Sequence, residues 1–169
     1  GQEMIAAEGR ELCSILEEKG YAAVCPSLDP RFRMVADYVS NWSERHAAYI
    51  CGLGTFGLSK GLITRKGIAG RFGSVITSCA LPITERPYEG LTDYCFMCGK
   101  CQRNCPAQAI DRTKGCLAGK DHTLCSAYIN ENTRAVCGPS QKMRYGCGKC
   151  QVDVPCERGI PERRGKRQA

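Results

Sequence analysis

Apolar positions along the first eighty residues follow a helical period, then a strand period, and then repeat the pair. Residues 2 to 19 set Ile5, Leu12, Cys13 and Leu16 at helical intervals, and Gly20 stands where a left-handed residue ends such a helix. Tyr21 to Cys25 is a short apolar run stopped by Pro26, which reads as a buried strand. Ser43 is an N-cap type of residue and predicts a second helix through Cys51, and Phe72 to Ser78, centred on Val75 and Ile76, predicts another strand. Leu81 to Asp93 carries Pro82, Pro87 and Gly90 without a period, so a boundary is expected there. The pattern predicts an α/β domain over residues 1–88, a second domain over 89–161 and a basic tail over 162–169. So few elements cannot cover both faces of a sheet, which leads us to expect an upstream segment or a homodimer.

The second half has few apolar runs and many cysteines. Fourteen of the 169 residues are cysteine, near the level that signals disulfides or metal. A disulfide framework belongs with a signal segment, whereas residues 1 to 20 form an amphipathic pattern with no apolar core. Zinc would use paired C-x2-C units such as Cys98/Cys101 and Cys147/Cys150, but four cysteines within eleven residues exceed what one tetrahedral site takes locally. Only His46 and His122 could add imidazole, and neither C-x-x-C is followed by His as c-type haem requires.

The run Cys95-Phe-Met-Cys-Gly-Lys-Cys-Gln-Arg-Asn-Cys-Pro106 has cysteine spacings of two, two and three followed by proline, the bacterial pattern for [4Fe-4S] ligation. In that pattern the fourth thiolate ligates a second cluster. A partner motif follows in Cys147, Cys150 and Cys156, although Asp153 stands where a strict repeat has cysteine. Two cubanes need eight ligands and the motifs supply seven. Cys116, Cys125, Cys137 and Asp153 are candidates for the eighth, with Cys125 favoured because an apolar run, Ser-Ala-Tyr-Ile, follows it. Such a domain is expected to draw its stability from its clusters.

Gly52-Leu-Gly-Thr-Phe-Gly57 fits G-x-G-x-x-G, but the preceding residues look helical and no acidic residue stands about twenty positions later, so a dinucleotide site is not expected. The segment from Ser40 to Thr64, followed by Gly73-Ser-Val-Ile-Thr77 and the four-cysteine run, resembles the epoxyqueuosine reductase and reductive dehalogenase superfamily. The resemblance covers about residues 35 to 160. It implies an α+β chain, a partial nitroreductase-like α/β half followed by a bacterial ferredoxin-like double-cubane domain. It also implies an oxidoreductase in which two [4Fe-4S] clusters deliver low-potential electrons to cobalamin. Gly52, Leu53, Gly54, Thr55, Phe56 and Gly57 would lie against the corrinoid, with Leu62, Ile63 and Thr64 on the same wall. Cys95, Cys98, Cys101 and Cys156 would hold one cubane, and Cys105, Cys125, Cys147 and Cys150 the other. Asp37 and Tyr38 are the candidates for a proton donor, and a ferredoxin- or flavodoxin-type donor protein would be the electron source. The alternative is a ferredoxin-type electron carrier without a catalytic centre.

Formal net charge is +7, and two clusters of roughly −2 each would lower it to about +3, which weakens a nucleic-acid reading. Arg163, Arg164, Lys166 and Arg167 read as a solvated end. No run of about twenty apolar residues exists to span a membrane. Free thiols and clusters together imply a cytoplasmic setting.

Overall fold

The computed structural model describes residues 2–137 and 146–162. The chain divides into two compact units, one of Gly1–Leu53 with Gly70–Pro87 and one of Gly54–Ala69 with Tyr88–Ala169.

The first unit opens with α1 (Gln2–Glu18), which ends where Gly20 adopts φ +84. There the Gly20 and Tyr21 amides bond back to Glu17 and Leu16, so orphan carbonyls of the last turn are satisfied. Strand β1 (Ala23–Val24) follows and pairs antiparallel with β6 (Ile76–Thr77). Ser78 extends this pairing, because its hydroxyl accepts from the Ala22 amide at 2.9 Å and its own amide donates to Ala22. Between them lie a 3-10 turn (Pro26–Leu28), the ribbon β2 (Met34–Ala36) with β3 (Val39–Ser40), and α2 (Glu44–Ile50). Ser43 caps α2 by accepting the His46 amide, as its residue type predicts. The Trp42 indole donates to Ser74 at 3.1 Å and ties this stretch to the β6 approach.

The second unit is built on a hairpin, β4 (Gly54–Phe56) and β5 (Leu62–Thr64). Leu58, Leu62, Ile63, Ile68 and Thr55 are its most completely buried side chains. Short helices α3 (Lys100–Arg103) and α4 (Gly115–Ala118) and the longer α5 (His122–Cys137) follow. Two glycines permit close approach. A Cβ on Gly54 would run into the Ile63 carbonyl across the hairpin, and one on Gly67, at φ +95, into the Glu157 carbonyl.

The expected nitroreductase-like half and ferredoxin-like double-cubane domain are corrected here. The chain is a mixed α+β fold whose described strands form three separate two-stranded antiparallel ribbons, β1–β6, β2–β3 and β4–β5. Strands of two or three residues offer too few ladder bonds to build a wide sheet.

Gly67→Ala is expected to destabilise the second unit by about 2–4 kcal/mol, since it adds left-handed strain to a backbone collision. Chemical denaturation checks this, with Gly70→Ala as the control, because nothing lies within 4 Å of a Cβ at Gly70.

Candidate functional site

The site grows out of the β4–β5 hairpin. Thr55 is fully buried, and its hydroxyl accepts from the Tyr94 amide at 2.9 Å. The Phe56 amide donates to Leu91 at 2.7 Å, so residues 91 to 94 are held along the hairpin just before Cys95. Tyr94 packs edge-on against Tyr88 with ring centroids 5.6 Å apart. Cys95, Cys101 and Cys156 then pack on the apolar cluster of Ile63, Ile68 and Val154.

Local backbone conformation curls the motif around a common space. Met97 (φ 58) and Gly99 (φ 72) are both left-handed, and Gly99 starts α3, which carries Cys101. The return segment is tied down by three bonds: Ile68 N–H to the Cys156 carbonyl at 2.8 Å, and the Asn104 amide to Val152 at 3.1 Å and Asp153 at 3.2 Å. The result is a cavity of about 20 Å³ to which Cys95, Cys98, Cys101 and Cys156 all contribute.

Proximity shows in the acidity of these thiols. Burial, then the Cys98 and Cys95 charges, push Cys101 from the usual 9.0 up to about 11. Burial, then Cys101, Cys95 and Cys98, push Cys156 up to about 12.

The other four named cysteines form a second neighbourhood. Cys105 accepts the Ala109 amide on its sulfur at 3.4 Å. Cys125 sits in the first turn of α5, where the Asp121 carboxylate accepts the Thr123 and Leu124 amides and fixes the helix start. Cys147 and Cys150 flank Gly148 (φ 71), whose carbonyl accepts the Gln151 amide. Burial raises Cys150, with Cys125, Cys105 and Cys147 adding to it and Lys120 opposing them. Lys120 also donates to the Ser59 carbonyl at 3.2 Å, which holds it beside the hairpin turn. Its place in this neighbourhood left no motif in the sequence.

Neighbourhood is not coordination. Among the described residues no group of three or more His, Cys, Asp or Glu side chains is arranged to hold a metal ion. A cavity of about 20 Å³ has room for about one water-sized body, less than an eight-atom cubane. The expectation of two [4Fe-4S] clusters is corrected accordingly. With it fall electron delivery to cobalamin, the epoxyqueuosine reductase-like oxidoreductase and the ferredoxin-type carrier.

Of the residues expected against a corrinoid, Thr55, Phe56, Leu62 and Ile63 are buried in the second unit's own core, while Gly57 packs on Ile63 and Gly54 on the facing strand. Thr64 bonds to Gly67 in the adjoining turn. Gly52 and Leu53 belong to the first unit, after α2. Asp37 and Tyr38 form the exposed turn between β2 and β3, in the first unit. Among the alternatives for an eighth ligand, Asp153 is exposed and pairs with Lys100 at 2.9 Å, and Cys116 lies against Met97. The Cys137 side chain and the tail from 163 onward fall outside the described residues. Among the described residues no helix is long and apolar enough to cross a membrane.

Thr55→Val should cost about 1–3 kcal/mol by leaving the Tyr94 amide without its acceptor, read by denaturant unfolding. A pH series in reducing buffer gives a second check. Thiols raised in the folded state bind more protons there than in the unfolded chain, so stability is kept below about pH 9 and declines as pH rises toward 12. Cys101→Ser and Cys156→Ser should flatten that decline. Comparison with protein-family models, with curated proteins and with solved structures found no match.

Proposed function

We propose that the protein is a binding module acting through sulfur, in which the two cysteine neighbourhoods take up a soft, sulfur-seeking electrophile. The observation that carries the reading is the single small cavity shared by Cys95, Cys98, Cys101 and Cys156. Cys101 and Cys156 lose protons reluctantly, because each new charge is buried and faces its neighbours. An electrophile that forms bonds to sulfur as protons leave removes that penalty, which favours such a group over hydrogen-bonding ligands. The cavity is small, so an occupant has to be compact and be admitted by turning the thiol side chains.

The setting is consistent with this chemistry. The thirteen described cysteines are all free thiols, which fits a reducing compartment such as the cytoplasm. Cys13 and Cys25 are neighbours of another kind. They sit in the first unit, where Cys25 is buried and touches Ser27, and they read as packing residues.

Phenylarsine oxide, which joins two thiols through arsenic with release of water, is a suitable probe. Native mass spectrometry should show one arsenical at each neighbourhood of the full chain, and Cys98→Ser combined with Cys101→Ser should remove one of them. Uptake no greater than that of the unfolded chain, or labelling spread over Cys13, Cys25 and Cys51, would defeat the reading.

A further inference from the structure

Cys98 lines more than the small cavity. It also lines a larger cleft of about 890 Å³, whose apolar part is Phe96, Val154 and Pro155. A volume of this order accommodates a small organic molecule. The charged side chains around the cleft are not equally engaged. Lys100 and Asp153 pair at 2.9 Å, and Glu157 accepts the Asp153 amide on one oxygen at 2.7 Å while its other oxygen faces Arg158 at 3.7 Å. Arg103 donates to the Cys98 carbonyl at 3.4 Å, which keeps its guanidinium beside that residue. Arg103 and Glu162 both line the cleft, and neither is in an ion pair among the described residues.

We propose that this cleft binds a zwitterionic disulfide, the oxidised form of free cysteine or of a short cysteine peptide, and that Cys98 exchanges with it. A carboxylate of the ligand meets the planar fork of Arg103, an ammonium meets Glu162, and the methylene and sulfur atoms between them lie on Phe96 and Pro155. In the exchange the Cys98 sulfur attacks one sulfur of the ligand and the ligand's disulfide bond breaks. One half stays joined to Cys98, and the other leaves as a thiolate and takes up the proton that Cys98 has lost. Cys98 is oxidised, the departing half is reduced, and no further reagent is needed.

The assignment rests on the reading of these cysteines as takers of a sulfur-seeking electrophile, since a disulfide is one, and it adds what selects the molecule. A purely anionic disulfide would face Asp153, Glu157 and Glu162, and a purely cationic one leaves Arg103 unanswered. The lining therefore favours a molecule that carries both charges.

The test is the rate at which Cys98 of the full chain forms a mixed disulfide with cystine, compared with cystamine, which lacks the carboxylates, and dithiodiglycolate, which lacks the ammonium groups. Each rate is divided by that of the urea-unfolded chain. Samples quenched with acid at early times and mapped by tandem mass spectrometry should show cystine ahead of both by about tenfold, the worth of one charge-assisted hydrogen bond. Arg103→Ala should bring cystine down to the level of cystamine, and Glu162→Gln should bring it down to that of dithiodiglycolate. Arg65→Ala, at an exposed arginine outside the cleft lining, should change neither. Equal normalised rates for the three disulfides, a preference for cystine that survives either cleft substitution, or modification of the exposed Cys51 or Cys147 ahead of Cys98 overturns the proposal. If phenylarsine oxide still binds in that event, the cleft assignment falls alone; if it does not, the sulfur reading falls with it.

Discussion

The cysteine-rich unit depends on the closeness of β4 and β5. Gly54 lets the strands meet with no side chain between them, and Thr55 sinks its hydroxyl into the core, where it receives the Tyr94 amide. A buried hydroxyl without that partner would be destabilising, so the bond fixes both the hairpin face and the chain leading to Cys95. Ile63 and Ile68 then supply the apolar floor on which Cys95, Cys101 and Cys156 rest. Every later part of the site is attached to this hairpin, by Lys60 and Lys120 on one side and by Gly67 and the Cys156 carbonyl on the other.

This arrangement explains why Cys101 and Cys156 hold their protons. Both are packed on carbon, which disfavours charge, and both face sulfurs that would repel a second charge. Lys120 opposes the effect at Cys150. Thiols so crowded can be satisfied by an electrophile that bonds to sulfur.

Several local elements were legible in the sequence, because their causes are local. Gly20 ends α1 and Ser43 starts α2 through bonds to residues within four positions. The glycine segment was legible as a G-x-G-x-x-G run, but where its residues pack was not. Gly54 packs on the facing strand and Gly57 on Ile63 and Ile68, whereas the resemblance assigned both to a corrinoid wall. Met97, Lys120 and the Tyr94–Thr55 bond left no periodic or spacing signal, since each depends on segments about twenty to sixty residues apart.

By itself the sequence determined that Cys95, Cys98, Cys101 and Cys105 share one short run, where spacing limits which sulfurs can turn toward one another. It also determined the helix ends and turns, where φ preferences and side-chain caps act within a few residues. Only the tertiary structure decided how near those sulfurs come and how much space they leave. That depends on core packing across the hairpin, where removing a Cβ at Gly54 or orienting one buried hydroxyl at Thr55 sets distances no motif spacing contains. The cavity is small because the floor beneath it is close-packed, and this turned an expected cluster site into a crowded group of free thiols.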